Sequence, residues 1–134
     1  MQKTKWWLIV VGSLYLLLGG MSLWVLFIKP QTFGEMFLFA SDNNSIRAFS
    51  DAWLIFVLEM LVLGGVMLYA SREPAQNKIL VITVAILELF RGAGGDLLWM
   101  SRGWRAENYL PFMILHIVIA VTGLMFVRQE SKGK

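Results

Sequence analysis

Four long apolar blocks dominate this chain, and blocks of that length leave few ways to fold. The first runs from Trp6 to Ile28, 23 residues without a charged side chain. At about 1.5 Å of rise per residue it makes roughly 35 Å of helix, enough to cross a hydrocarbon core with some tilt. The second, Trp53 to Ala70, carries one charge, Glu59. The third, Ile79 to Met100, carries Glu88, Arg91 and Asp96, and the fourth, Tyr109 to Val127, contains the lone histidine, His116. Backbone N–H and C=O groups must pair within the segment when the surroundings are lipid, so each block is expected to be a helix.

Composition supports the same class. Hydrophobic residues make up 57% and charged residues 16% of the 134, and mean hydropathy is +0.64. Soluble domains hold about 45–50% and about 25%. A chain this small has too much surface for its volume to hide that excess. A soluble enzyme, a disordered tail and a disulfide scaffold are excluded. With no cysteine there is no thiolate nucleophile, iron–sulfur cluster or cysteine-bound zinc. The net charge of +3 comes from lysines and arginines at the block ends. That placement favours the anionic face of a bilayer over nucleic acid. The first block follows Lys3 and Lys5 as a signal peptide would, but its apolar core is too long, so it is expected to be retained.

Charge sets an orientation. Lys3, Lys5, Arg72, Lys78, Arg128, Lys132 and Lys134 fall on one side, against Lys29, Arg47, Arg102 and Arg105 on the other. The excess places both termini in the cytoplasm. Short links at 71–78 and 101–108 force neighbouring helices to run antiparallel. In the longer first loop Pro30 ends the first helix, and Asn43-Asn44-Ser45 reads as a turn and cap. Between them Phe33, Met36, Phe37 and Phe39 make a patch too short to span, expected to lie in the outer interface. The fold expected is all-α. A single domain over 1–134 forms an antiparallel bundle of four transmembrane helices, near 6–28, 46–70, 79–100 and 109–127, with that interfacial segment in the first outer loop.

Charges inside lipid cost at least about 2.5–3.5 kcal/mol each on insertion scales, so Glu59, Glu88 and Arg91 need partners. Glu88 and Arg91 stand three apart and can meet on one helix face. Glu59 has no cation on its own block and can stay protonated or reach Arg91 or His116. Counted from the outer ends, Glu59, Glu88, Arg91 and His116 fall at similar depth on three helices. If the helices turn them inward they form a buried polar cluster, opening outward past Asp51, Asp96, Arg102 and Arg105. Two glutamates and a histidine are legal metal ligands, but the Glu-x-x-His pair of carboxylate-bridged sites is missing, so no metal and no cofactor is expected.

The run Glu88 to Asp96 holds three close glycines, which weaken helix propensity and allow a kink or a close approach. Leu16-Leu17-Leu18-Gly19-Gly20 echoes Leu61-Val62-Leu63-Gly64-Gly65; such glycines, with Gly12 and Gly123, are expected to let helices pack closely. Trp6, Trp7, Trp53 and Trp104 sit at block ends as an interfacial belt would. The methionines read as adaptable packing.

The segments Trp6-Trp7-Leu8-Ile9-Val10-Val11-Gly12, Asp51 to Glu59, and Glu88-Leu89-Phe90-Arg91-Gly92 through Arg102-Gly103 resemble the BphX-like family of small bacterial four-helix membrane proteins. The resemblance implies a bacterial inner-membrane protein, in some cases encoded near genes for aromatic-compound degradation, and brings no catalytic motif. Three function classes follow. The leading one is a multi-pass inner-membrane protein whose buried polar pocket binds or passes a small lipophilic or weakly acidic ligand, with or without protons. The alternatives are an accessory subunit whose charges pair with a second copy or a membrane partner, and a small membrane enzyme using Glu59, Glu88 and His116. The bilayer is the expected surrounding, and no nucleic acid is expected.

Overall fold

A computed structural model describes residues 2–32 and 42–132. Its helices are α1 (Gln2–Ile28), α2 (Asn43–Ala70), α3 (Lys78–Leu87), a π-helical turn (Glu88–Ala93), α4 (Gly94–Ser101) and α5 (Ala106–Lys132). Among the described residues there is no strand, so the protein is all-α. Helices α1, α2 and α5 are each long and apolar enough to cross a membrane. The third apolar block is one helical course, Lys78 to Ser101, interrupted by the π turn. The aromatic patch from Phe33 to Ala40 lies outside the described residues.

The chain divides into two compact units, Val10–Tyr69 and Met1–Ile9 with Ala70–Lys134. In the first, α1 and α2 touch through glycine. A methyl group added to Gly12 would sit 3.0 Å from the Gly64 carbonyl oxygen, and one added to Gly64 2.9 Å from that of Gly12. Only residues without a Cβ let two backbones come so near. Of each expected glycine pair one member faces the neighbour and the other faces open space. Gly19 lies against Leu61 and Gly64 against Leu16, whereas Gly20 and Gly65 meet nothing within 4 Å. Successive helical residues point about 100° apart, so both members of a pair cannot share one contact. Asp42 starts α2. Its Oδ1 accepts the N–H groups of Asn44 and Ser45 at 2.9 and 3.0 Å, and the Ser45 hydroxyl donates to Oδ2 at 2.5 Å. The cap is therefore Asp42, one residue ahead of the Asn43-Asn44-Ser45 run.

In the second unit the course Lys78–Ser101 and α5 form a hairpin. Lys78 Nζ donates to Ser131 Oγ at one end, Glu88 meets His116 midway, and Trp99 packs edge-on against Tyr109 at the other. The hairpin turns at 102–105, where Gly103 takes a φ of +90°, a left-handed conformation that suits glycine. The first turns of α1 close on the far half of α5. Thr4 is fully buried, and its hydroxyl donates to Glu130 Oε2 at 2.5 Å, while the backbone N–H of Lys3 donates to Oε1 at 2.9 Å. Glu130 thus caps α1 from another helix, supplying negative charge where orphan N–H groups gather.

Trp7 differs from its expected place in an interfacial belt. It is 5% exposed, lies on Gly123, and donates from Nε1 to the Ile119 carbonyl and to Thr122 Oγ1, each at 3.1 Å. Its neighbour Trp6 is exposed. One step along a helix turns a side chain from a packed face to an open one. The exterior is apolar: Ile55, Ile79 and Phe90 are among its most exposed side chains. That is the surface a lipid solvent allows and water does not.

Candidate functional site

The site begins with a local fault in a helix. At the π turn the Gly94 N–H donates to Leu89 O, five residues back instead of four. The wider turn absorbs one residue. In an ideal α-helix, Glu88 and Asp96, eight residues apart, point about 80° apart. Taking one residue's rotation of about 100° out of the path brings them within about 20° of each other. Both carboxylates then face α5. Gly92, Gly94 and Gly95 lie in or beside this turn, and their low α-propensity lowers the cost of departing from the regular helix.

His116 stands between the two carboxylates. Its Nδ1 is 2.6 Å from Glu88 Oε2, and its Nε2 is 3.7 Å from Asp96 Oδ2. The side chains are 4% (Glu88), 10% (Asp96) and 25% (His116) exposed. The ring lies on Gly92: a Cβ there would fall 2.5 Å from Nδ1 and 2.9 Å from Cδ2. Any residue larger than glycine would therefore displace the imidazole. Towards the 102–105 turn the row is closed by Tyr109, whose ring meets Trp99 and Trp104 edge-on at centroid distances of 5.2 and 6.3 Å.

With Glu88 ionised, Nδ1–H donates to it, and a neutral imidazole then turns its Nε2 lone pair toward Asp96. Asp96 Oδ2 is buried and has no hydrogen-bond partner among the described residues. A buried polar oxygen left unpaired costs free energy, more so when it carries charge. The cluster therefore offers one satisfied carboxylate, one unsatisfied carboxylate, and an imidazole whose second nitrogen faces the unsatisfied one. That arrangement takes up protons or hydrogen-bond donors.

Of the residues singled out in the sequence, the structure brings Glu88 and His116 into contact. Asp96, expected at a pocket mouth, is buried in the row instead. Arg91 sits half-buried in the π turn, while Glu59 is on α2, where it is exposed. Asp51, Arg102 and Arg105 are exposed, and Arg105 pairs with Glu107. Among the described residues no three His, Asp or Glu side chains are arranged to hold a metal ion. Sequence reasoning passed over the Thr4–Glu130 contact, since residues 126 apart give no local signal.

A family model described as BphX-like matches residues 1–132, essentially the whole chain. The chain belongs to the BphX-like family. Membership, with three helices of membrane-crossing length, fits a small membrane protein. No curated protein and no solved structure matches the chain.

Proposed function

We propose that this is a four-span bacterial inner-membrane protein that binds or passes a small lipophilic, weakly acidic ligand at Glu88, His116 and Asp96. In this reading the course Lys78–Ser101 is the second of the four crossings from the C-terminal end, neighbouring crossings run antiparallel, and both termini face the cytoplasm. The helical length of that course and the excess of basic residues on one side support the topology.

One observation carries the ligand reading: the buried, unpaired Oδ2 of Asp96 beside His116 Nε2. Two neighbouring acceptors on a lipid-embedded helix pair match a molecule with one acidic O–H and an apolar body that lipid can carry. His116 is the sole histidine, so a protein labelled with ¹⁵N-histidine reports on this site alone. In lipid nanodiscs, octanoic acid should shift the His116 Nε2 resonance and 1-octanol should shift it much less. Asp96→Asn should remove the response. An Nε2 signal indifferent to a panel of lipophilic acids would sink the ligand reading.

Glu59 favours a second reading. It is exposed on a face shared with Ile55 and Val62. A carboxylate on an apolar exterior suits a face that another membrane chain covers. An accessory subunit of this kind should change its associations in native mass spectrometry when Glu59 becomes Gln.

A further inference from the structure

We propose that Asp96, His116 and Glu88 form a proton relay along the hairpin, with His116 as its moving part. This rests on the reading that the cluster is the working site, and needs no bound ligand. The geometry is that of a shuttle: one imidazole nitrogen is hydrogen-bonded to a carboxylate at 2.6 Å, and the other stands 3.7 Å from a second carboxylate oxygen that has no hydrogen bond among the described residues. A shift under 1 Å closes the second gap to hydrogen-bonding distance.

The steps balance in protons. A proton arriving on Asp96 Oδ2 passes to Nε2 and makes an imidazolium. The Nδ1 proton passes to Glu88 Oε2, leaving a neutral carboxyl and the Nε2–H imidazole. Glu88 releases its proton; one water then takes the Nε2 proton while another returns a proton to Nδ1, and the starting tautomer is restored. No bond other than O–H and N–H is made or broken. The two carboxylates sit about two turns apart, so each cycle moves one proton along the hairpin axis. The π turn is what lets both reach a single ring. Gly92 leaves the ring room for that small shift, since a Cβ there would collide with it.

The titratable groups shown against the imidazole are Glu88 from the π turn and Asp96 from α4; Tyr109 of α5 stands near Asp96, and Arg91 shares the turn with Glu88. The charges that α1 brings against α5 gather at Lys3 and Glu130. These lie about 21 Å along α5 from His116, too far to set its protonation.

The first test uses the unaltered protein, labelled with ¹⁵N-histidine in bilayers. Across about pH 5 to about pH 8, the range in which an imidazole ordinarily changes charge, the two ¹⁵N signals should show exchange between tautomers. In Asp96→Asn that exchange should stop, with the proton held on Nδ1. The second test is proton entry into vesicles driven by a potassium diffusion potential. The unaltered protein should admit protons, while Asp96→Asn and His116→Gln should fall to the rate of empty vesicles. A single fixed tautomer across the range, or equal flux with and without His116, would overturn the relay. Octanoic acid binding is read separately. Binding without flux overturns this inference alone, whereas loss of both overturns the ligand reading as well.

Discussion

His116 stands between the two carboxylates of the cluster, and its contact with Glu88 is the shorter of the two. Hydrogen bonds to charged groups contribute about 1.5–3 kcal/mol, and more is lost when one partner is left buried alone. A thermal double-mutant cycle with Glu88→Gln and His116→Gln should therefore give a coupling of about 1–3 kcal/mol. Additive effects would mean the contact is incidental. Gly92 makes a sharper test. Gly92→Ala puts a methyl group into the imidazole, whereas Gly95→Ala enters open space. The first should destabilise by about 1–3 kcal/mol, as overpacking does, and disturb the His116 resonance. The second should be neutral or slightly stabilising, because alanine is the better helix former. Equal effects would remove the cradle from the account.

Helix α2 begins on Asp42, and that start depends on charge. The Ser45 hydroxyl, then the backbone N–H groups, hold the Asp42 carboxyl below its ordinary range. A carboxylate with a lowered native pKa stabilises the fold above its unfolded value, and that contribution is lost as pH falls through the native one. The amides of Asn44 and Ser45 should thus exchange faster on acidification below the usual carboxylate range, beyond the intrinsic pH dependence. In Asp42→Ala that added dependence should vanish. Between α1 and α2 the contact is glycine on glycine. Gly64→Ala directs a methyl group at the Gly12 carbonyl, whereas Gly65→Ala meets nothing within 4 Å. The first should cost about 1–3 kcal/mol in a detergent melt, and the second should cost nothing. A reversed order would place the α1–α2 contact on another face.

For the whole molecule the decisive property is its arrangement across the bilayer. If the chain makes the four crossings proposed above with both termini in the cytoplasm, reporters inserted after Glu73 and at the C-terminus should read cytoplasmic. One inserted after Gly103 should read external. If the Gly103 reporter shared a side with the other two, the course Lys78–Ser101 would not span. The relay would then no longer lie along the membrane normal. The positive-inside bias behind this expectation acts on loops flanking the crossings, so moving charge is a further check. Adding lysines beside Arg102 and Arg105 should weaken the orientation.

Much of this protein is legible in its sequence because lipid is an unforgiving solvent. Runs such as Trp6–Ile28 must be helical wherever they sit in hydrocarbon, since no water is there to pair the backbone. The cost of buried charge likewise marks Glu59, Glu88 and Arg91 as residues that need partners. Rotation about each helix axis is a different matter. Whether Trp7 or Trp6 packs, which glycine of Gly64-Gly65 touches a neighbour, and whether Asp96 faces water or α5 all turn on angles of about 100° per residue. Apolar side chains facing lipid and facing protein look alike in composition, so hydrophobic pattern leaves those angles open. The π turn adds a shift that no periodicity contains, and of its neighbouring glycines it is Gly92 that takes the packing of His116 from α5. Sequence alone therefore determined that there are apolar helices and which charges within them need company. Only the tertiary structure decided that Glu88 and Asp96 turn to the same side and find one histidine between them.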